Sequence, residues 1–208
     1  MSETKNVIFD LGGVLLNIDY NKTTDAFKEL GFTDFESMYS MLKGNNIFDN
    51  LETGHISEND FYGYMLDAAK GSVTKDQVEE AWNAMLLDFR AESLGFLDEL
   101  NKKYRVFLLS NTNIIHKRAF DNILGSQTGL SSLDEYFDKA YYSQQVGLRK
   151  PHAAIFEFVL KDAGILAGET FYIDDLYPNI ETASSLGFRT HLLKPGERIE
   201  DLDYAKQG

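Results

Sequence analysis

The chain contains no cysteine, which removes disulfide frameworks, thiolate metal sites and cysteine nucleophiles together, so any metal must sit on oxygen or imidazole ligands. Histidine is scarce as well. His55, His116, His152 and His191 are scattered without metal-ligand spacing and read as surface or hydrogen-bonded residues, leaving oxygen-based magnesium or calcium chemistry open. Positive charge is short too: 20 basic residues stand against 33 acidic ones, for a formal net charge of -13. Such a surface field repels polyanions, so nucleic acid and anionic membrane are discounted as partners, and Lys117-Arg118 is too brief a basic patch to reverse that. No apolar run approaches the length of a membrane span, and the opening Met-Ser-Glu-Thr-Lys leads into a short apolar run ending at Asp10. A cytoplasmic protein is expected.

What remains is ordinary globular material, 208 residues with 43% hydrophobic and 25% charged side chains, enough for a full core in one domain or one domain carrying an insertion. Short runs rich in β-branched or aromatic residues occur at Asn6 to Phe9, Tyr104 to Leu109, Lys139 to Tyr142, Thr170 to Ile173 and Phe188 to Leu193. Segments of helical period separate most of them, and this alternation predicts an α/β fold, a doubly wound parallel sheet of Rossmann type. Pro151 and Pro178 stand where first helical residues would.

The stretch from Ile18 to Leu87 breaks the alternation, with helical patterns and no convincing strand. Ser57 with Asp60 and Thr74 with Gln77 read as capping boxes. The faces that follow are Phe61, Tyr64, Met65 and Ala68, and then Val78, Ala81, Trp82, Met85 and Leu86. The expectation is an all-helical insertion over residues 18–87, lying over the sheet end that carries Asp10, with residues 1–17 and 88–208 forming the core. Its aromatic side chains Phe48, Tyr62, Tyr64 and Trp82 read as core rather than substrate contacts.

Four polar positions each follow an apolar strand candidate: Asp10, Ser110, Lys150 and the Asp174-Asp175 pair. In an open parallel sheet the carboxyl ends of the strands border the ligand crevice, so these residues converge although the sequence separates them. Taken singly, each has a plain reading as a turn, cap or solvated side chain. Together, in order, they describe one site. Three carboxylates crowded at a point repel unless a hard cation such as magnesium holds them. Lys150 balances charge, while Ser110 with Asn111 and Thr112 offers donors to a transferring phosphoryl group. Gly12 and Gly13 let the backbone turn tightly past an anion, and a carboxylate nucleophile divides hydrolysis into two easier steps.

The segments Val7-Ile8-Phe9-Asp10-Leu11-Gly12-Gly13-Val14, Leu109-Ser110-Asn111-Thr112-Asn113, Gly147-Leu148-Arg149-Lys150-Pro151 and Phe171-Tyr172-Ile173-Asp174-Asp175 resemble the four ordered motifs of the haloacid dehalogenase-like superfamily. The insertion resembles the helical cap of its small sugar-phosphate phosphatases, glucose-1-phosphatase-like members among them. The resemblance implies a magnesium-dependent phosphohydrolase acting on a small phosphorylated metabolite. Asp10 would be nucleophile and metal ligand, and the Gly12 carbonyl a further ligand. Ser110 would bind the phosphoryl group, and Lys150 would neutralise it and orient Asp10. Asp175 would be a direct ligand, Asp174 one acting through water, and Asn179 a polar neighbour of the metal.

One position departs from the pattern. Phosphatases of the superfamily carry a second aspartate two residues after the nucleophile, where this chain has Gly12. Its general acid/base contribution, roughly 10²- to 10⁴-fold, must then be missing or come from elsewhere, with Asp19, His55 and His116 as candidates. Two rival readings follow: a degenerate member that binds a phosphorylated metabolite or protein partner without turnover, and a metal-independent dehalogenase, against which the full acidic pair speaks.

Overall fold

The computed structural model describes residues 3–32, 44, 46–69 and 73–205. In chain order the elements are β1 (Asn6–Phe9), β2 (Leu16–Ile18), α1 (Tyr20–Glu29), α2 (Ile47–Glu52), α3 (Glu58–Ala68), α4 (Lys75–Asn83), β3 (Leu86–Phe89), α5 (Ala91–Leu100), β4 (Arg105–Ser110), α6 (Ile114–Thr128), β5 (Lys139–Tyr142), the one-turn α7 (Ser143–Val146), α8 (Ala153–Ala163), β6 (Thr170–Asp174), α9 (Tyr177–Ser185) and β7 (Arg189–Leu192).

Five strands form one parallel sheet in the order β5-β4-β1-β6-β7. Every residue of β1 is buried, as an apolar strand covered on both faces must be. Alternation divides its side chains. Val7 and Phe9, with Val106, Leu108, Phe171 and Ile173, pack under Leu94 and Leu97 of α5 and Phe120 and Leu124 of α6. Ile8, with Phe107, Leu109 and Tyr172, packs against Ile155, Phe156 and Val159 of α8 and Ile180 and Ala183 of α9. The chain moves outward from β1 through β4 to β5, then crosses to β6 and β7. The carboxyl ends of β1, β4 and β6 therefore border the crevice that this reversal opens.

Helices α1 to α4 carry a separate apolar core of Phe27, Ile47, Phe48, Leu51, Phe61, Tyr62, Met65, Val78 and Trp82, joined by Ile115 from α6. Trp82 is its hub, stacked on Phe48 with centroids 5.3 Å apart and tilted on Phe61 at 4.9 Å. Both expected capping boxes form: Ser57 and Asp60 open α3, and Thr74 and Gln77 open α4.

Four expectations need correction. The segment between β1 and β4 is not wholly helical, because Leu16–Ile18 and Leu86–Phe89 pair antiparallel as a ribbon at its root. Helix α4 ends at Asn83, so Met85 and Leu86 lie beyond its face, with Leu86 in the ribbon. Tyr62 rather than Tyr64 faces the core; Tyr64 is exposed, since Tyr62 reaches Glu79 with its hydroxyl at 2.6 Å while its ring fills the interior. Pro151 lies ahead of the N-cap His152, outside α8, whereas Pro178 does occupy the first turn of α9. Among the described residues no helix is long and apolar enough to cross a membrane.

Candidate active site

Asp10 leaves the end of β1 with its amide anchored on Ile173 O at 2.9 Å. Asp174 ends the neighbouring strand β6, and Asp175 follows it. One carboxylate oxygen from each of the three lies within 4.8 Å of the others. Crowding of this kind in a buried place calls for a cation. Lys150 supplies one: its ammonium donates to Asp10 Oδ1 at 2.7 Å and to Asp174 Oδ2 at 2.8 Å, and its side chain is 1% exposed.

The environments differentiate the acids. Burial pushes the Asp10 carboxyl up to about 7, the Lys150 ammonium opposing and Asp174 reinforcing. Asp175 is raised as well, by burial and then by Asp174. Burial alone would lower Lys150, but the two carboxylates outweigh it and hold the ammonium above its ordinary value. Asp174 is fully buried and saturated. It accepts from Lys150, the Tyr172 hydroxyl, Leu176 N at 2.8 Å and Asn179 Nδ2 at 3.0 and 3.1 Å. Asp175 keeps only part of its carboxylate covered and faces the turn at Gly13. That turn requires glycine: φ is +73°, and a Cβ there would sit 2.2 Å from Asp175 Oδ2.

The Ser110-Asn111-Thr112 segment divides its labour. The Asn111 amide clamps the backbone of Lys150, donating to its carbonyl at 2.9 Å and accepting from its N–H at 2.9 Å. The Thr112 N–H is taken by Ser143 Oγ at 2.9 Å. Ser110 is buried, and its hydroxyl has only a long 3.5 Å contact to Asn111 O, so it is the side chain of this segment best placed to turn toward a ligand. The helix cap itself is Asn113, whose side chain accepts from Ile115 N and His116 N.

These groups share one cavity of about 170 Å³, lined by Asp10, Gly12, Ser110, Asn111, Thr112, Lys150, Asp175 and Asn179 from the sheet side. Residues of the inserted segment and its ribbon, Ile18, Tyr20, Glu52, Met85 and Leu86, close it from above. Its size falls below the roughly 300 Å³ of sites for drug-sized ligands, which favours a small molecule. Two charged lining residues, Glu52 and Arg149, are given no role in the sequence reading. Arg149 could have been suspected from its place beside Lys150, whereas Glu52 ends a six-residue helix with no periodic signal.

The candidate replacements for a carboxylate at position 12 are otherwise engaged. Asp19 caps α1 by accepting from Asn21 N at 3.0 Å, and His55 Nδ1 is 2.6 Å from Thr53 Oγ1. His116 lines the cavity but is held on both sides, with Nδ1 3.2 Å from Asn113 Nδ2 and Nε2 3.1 Å from Trp82 O. Those contacts assign the neutral Nε2–H tautomer, and its ring stacks on Trp82 at 5.1 Å. Burial lowers His116 from its ordinary 6.5 to about 4, the Trp82 carbonyl opposing.

A pH dependence follows from that depressed value. Between pH 6.5 and about 4 the unfolded chain binds the proton and the folded chain does not, so stability falls with falling pH. The full loss from this one group is about 3 kcal/mol. Thermal melts of wild type and His116→Gln should therefore converge on acidification from pH 7 to 4.5; a constant Tm gap would remove His116 as the source.

The sequence matches the family described as haloacid dehalogenase-like hydrolase over residues 4–187. It is 34% identical over 187 residues to a D-ribitol-5-phosphate phosphatase of Bacteroides thetaiotaomicron, covering 89% of this chain and 90% of that protein. A crystal structure of a haloacid dehalogenase family enzyme from the same organism superimposes with a TM-score of 0.89 at 36% identity, covering 96% of this chain and 98% of the other. A wild-type structure in complex with magnesium and inorganic phosphate superimposes with a TM-score of 0.84 at 36% identity, covering 94% and 97%.

Proposed function

This chain belongs to the haloacid dehalogenase-like hydrolase family, and from that premise we propose that it hydrolyses a small phosphate monoester, a sugar or polyol phosphate, through an aspartyl-phosphate on Asp10. The observation that carries this reading is the acidic triad around Lys150, with one oxygen each from Asp10, Asp174 and Asp175 inside 4.8 Å. Oxygen donors so close, and a relative that binds magnesium and phosphate, fit a magnesium ion held by Asp10, Asp175 and the Gly12 carbonyl, with Asp174 acting through water because its own oxygens are occupied. When bound, magnesium supplies charge neutralisation for the phosphoryl oxygens.

The remaining chemistry belongs to side chains of this chain. Lys150 holds Asp10 Oδ1, leaving Oδ2 to attack phosphorus in line with the leaving oxygen. Ser110 donates to an equatorial phosphoryl oxygen, and Lys150 offsets the charge that accumulates there. Water then hydrolyses the acyl phosphate and restores Asp10. Residues 1–17 and 88–208 act as catalytic core, and 18–87 as a cap that closes the cavity and excludes water. A phosphorylated substrate, which does not cross membranes, suits a cytoplasmic enzyme. Phosphate release over a metabolite panel, with magnesium and with chelator, tests the reading. Halide release from a haloacid that survives chelation would point to dehalogenase-like chemistry, and binding of phosphate esters with no turnover would point to a degenerate member, a reading that Gly12 favours.

Without a carboxylate at position 12, the leaving oxygen departs with little protonation. Across a series of aryl and alkyl phosphates, kcat should rise steeply with leaving-group acidity. A Cβ at Gly12 would meet Ile18 Cδ1 at 3.0 Å, the mobile end of a side chain. Gly12→Asp is therefore expected to fold and to raise kcat on alkyl phosphates on the order of 10²-fold; an unchanged rate on a folded variant would show that protonation is not limiting.

A further inference from the structure

Seven large apolar side chains are exposed among the described residues, and two of them, Tyr20 at 65% and Leu176 at 52%, line the cavity that holds Asp10, Ser110 and Lys150. A single exposed aromatic means little on a protein surface. Two at one opening, one from the inserted segment and one from the core, mark a place where apolar surface is kept open to solvent at a cost. Both stand at fixed points of the backbone. The Leu176 N–H donates to Asp174 Oδ1 at 2.8 Å, which fixes that residue beside the acidic pair. Tyr20 opens α1 directly after Asp19, whose N–H donates to Met85 O at 2.9 Å, and the Met85 N–H donates in turn to Thr23 Oγ1 at 3.1 Å.

The rest of that wall is apolar too. Ile18, Met85 and Leu86 are half-buried and line the same cavity. Among the described lining residues of the inserted segment only Glu52 is charged, and its carboxylate is paired with Arg149 Nη2 at 2.9 Å. The cavity thus divides by chemistry: the ends of β1, β4 and β6 bring charge and hydrogen bonds, and the inserted segment brings hydrocarbon. The hydrocarbon begins where the leaving group does. Position 12 is the one that carries, in phosphatases of the superfamily, the aspartate serving the leaving oxygen. A Cβ there would lie 3.0 Å from Ile18 Cδ1, which places Ile18 beside the departing group.

We propose that Ile18, Tyr20 and Leu176 form the leaving-group subsite and select by apolar contact: the Tyr20 ring lies against an apolar face of the leaving group, an aryl ring or the C–H face of a sugar or polyol, and Leu176 covers a further part of it. The inference rests on the phosphatase reading and deepens it. Recognition without directed hydrogen bonds makes the subsite tolerant of the pattern of hydroxyls and sensitive to the apolar area a leaving group offers. These contacts are remote from phosphorus and equal in ground and transition states, so their effect falls on KM more than on kcat. That separates them from the dependence on leaving-group acidity expected from Gly12, which falls on kcat.

The test is steady-state kinetics with magnesium on three probes: phenyl phosphate, a pentitol phosphate, and acetyl phosphate, whose leaving group offers little apolar surface. In wild type, KM should be lower for the first two than for acetyl phosphate. In Tyr20→Ala the ratio of kcat/KM for either larger ester to that for acetyl phosphate should fall roughly tenfold, mainly through KM. Leu176→Ala should lower the same ratios roughly threefold. Tyr20→Phe, which keeps the ring and loses the hydroxyl, should retain the wild-type ratios. A loss in Tyr20→Phe as large as in Tyr20→Ala overturns the proposal, because the hydroxyl rather than the ring would then be the reader. Ratios unchanged in both alanine variants overturn it too, as does an equal loss on all three probes, which would mark a structural role. If wild type cleaves the probes with a KM no higher for acetyl phosphate, this inference fails while the phosphatase reading stands. If it cleaves none of them, both fall.

Discussion

Asp10→Asn should reduce phosphate release on the order of 10⁴-fold or more while leaving the fold intact. The neutral amide that replaces the carboxylate lacks the anionic oxygen that attacks phosphorus, and no second acid stands in the same place. Asp174 is buried and bound by Lys150, Tyr172, Leu176 and Asn179, and Asp175 packs against Gly13. The stability consequence runs the other way from most substitutions in a buried site. Burial and the neighbouring acids already press the Asp10 carboxyl up to about 7, so a neutral isostere relieves repulsion within the triad even as it weakens the contact with Lys150. In the absence of magnesium, Tm should hold or rise. Magnesium should raise it less than in wild type, because one of three ligating groups has lost its charge. Phosphate release and melts with and without magnesium measure both. Activity of the variant at more than a trace would remove Asp10 as the nucleophile, whatever the melts show.

Strands β1 and β5 begin and end where the sequence runs do, at Asn6–Phe9 and Lys139–Tyr142, and in the central strand β1 the apolar run is buried to its last residue. The polar residue that follows such a run is then a site candidate by topology alone, which is why Asp10, Ser110 and Asp174 were legible together. The capping boxes were legible for a similar reason, because their hydrogen bonds join residues three apart and need no tertiary partner. Tyr62 and Tyr64 were not: which of two nearby aromatics turns inward depends on α4 arriving beside α3, where Glu79 takes the Tyr62 hydroxyl and Lys75 covers its ring. The ribbon of β2 and β3 joins Leu16 to Phe89 across the whole insertion, a pairing that no local pattern encodes. Asn111 shows the same limit at the site. Its residue type suited a phosphoryl donor, but the fold applies its amide to the Lys150 backbone.

That investment in placing Lys150 leads to the second large effect. Lys150→Met should lower activity on the order of 10²- to 10³-fold and, unlike Asp10→Asn, should cost stability. Its ammonium is the cation joining Asp10 and Asp174 inside the protein, at 2.7 and 2.8 Å, and a methionine of similar length leaves both carboxylates buried and uncompensated. Breaking a buried pair by removing one partner costs about 3–5 kcal/mol. The pH dependence identifies this cause. Deprived of Lys150, the Asp10 carboxyl rises further above its unfolded value, and a raised acid contributes stability at low pH that is lost as pH climbs through the folded value. The Tm deficit of the variant against wild type should therefore widen from pH 5 to pH 8. Magnesium should narrow it at pH 8, since a divalent ion restores the missing positive charge beside Asp10. A deficit independent of both pH and magnesium would mean that Lys150 supports the fold through packing against Tyr172, whose ring lies 5.9 Å below the ammonium, and that the carboxylates do not depend on its charge.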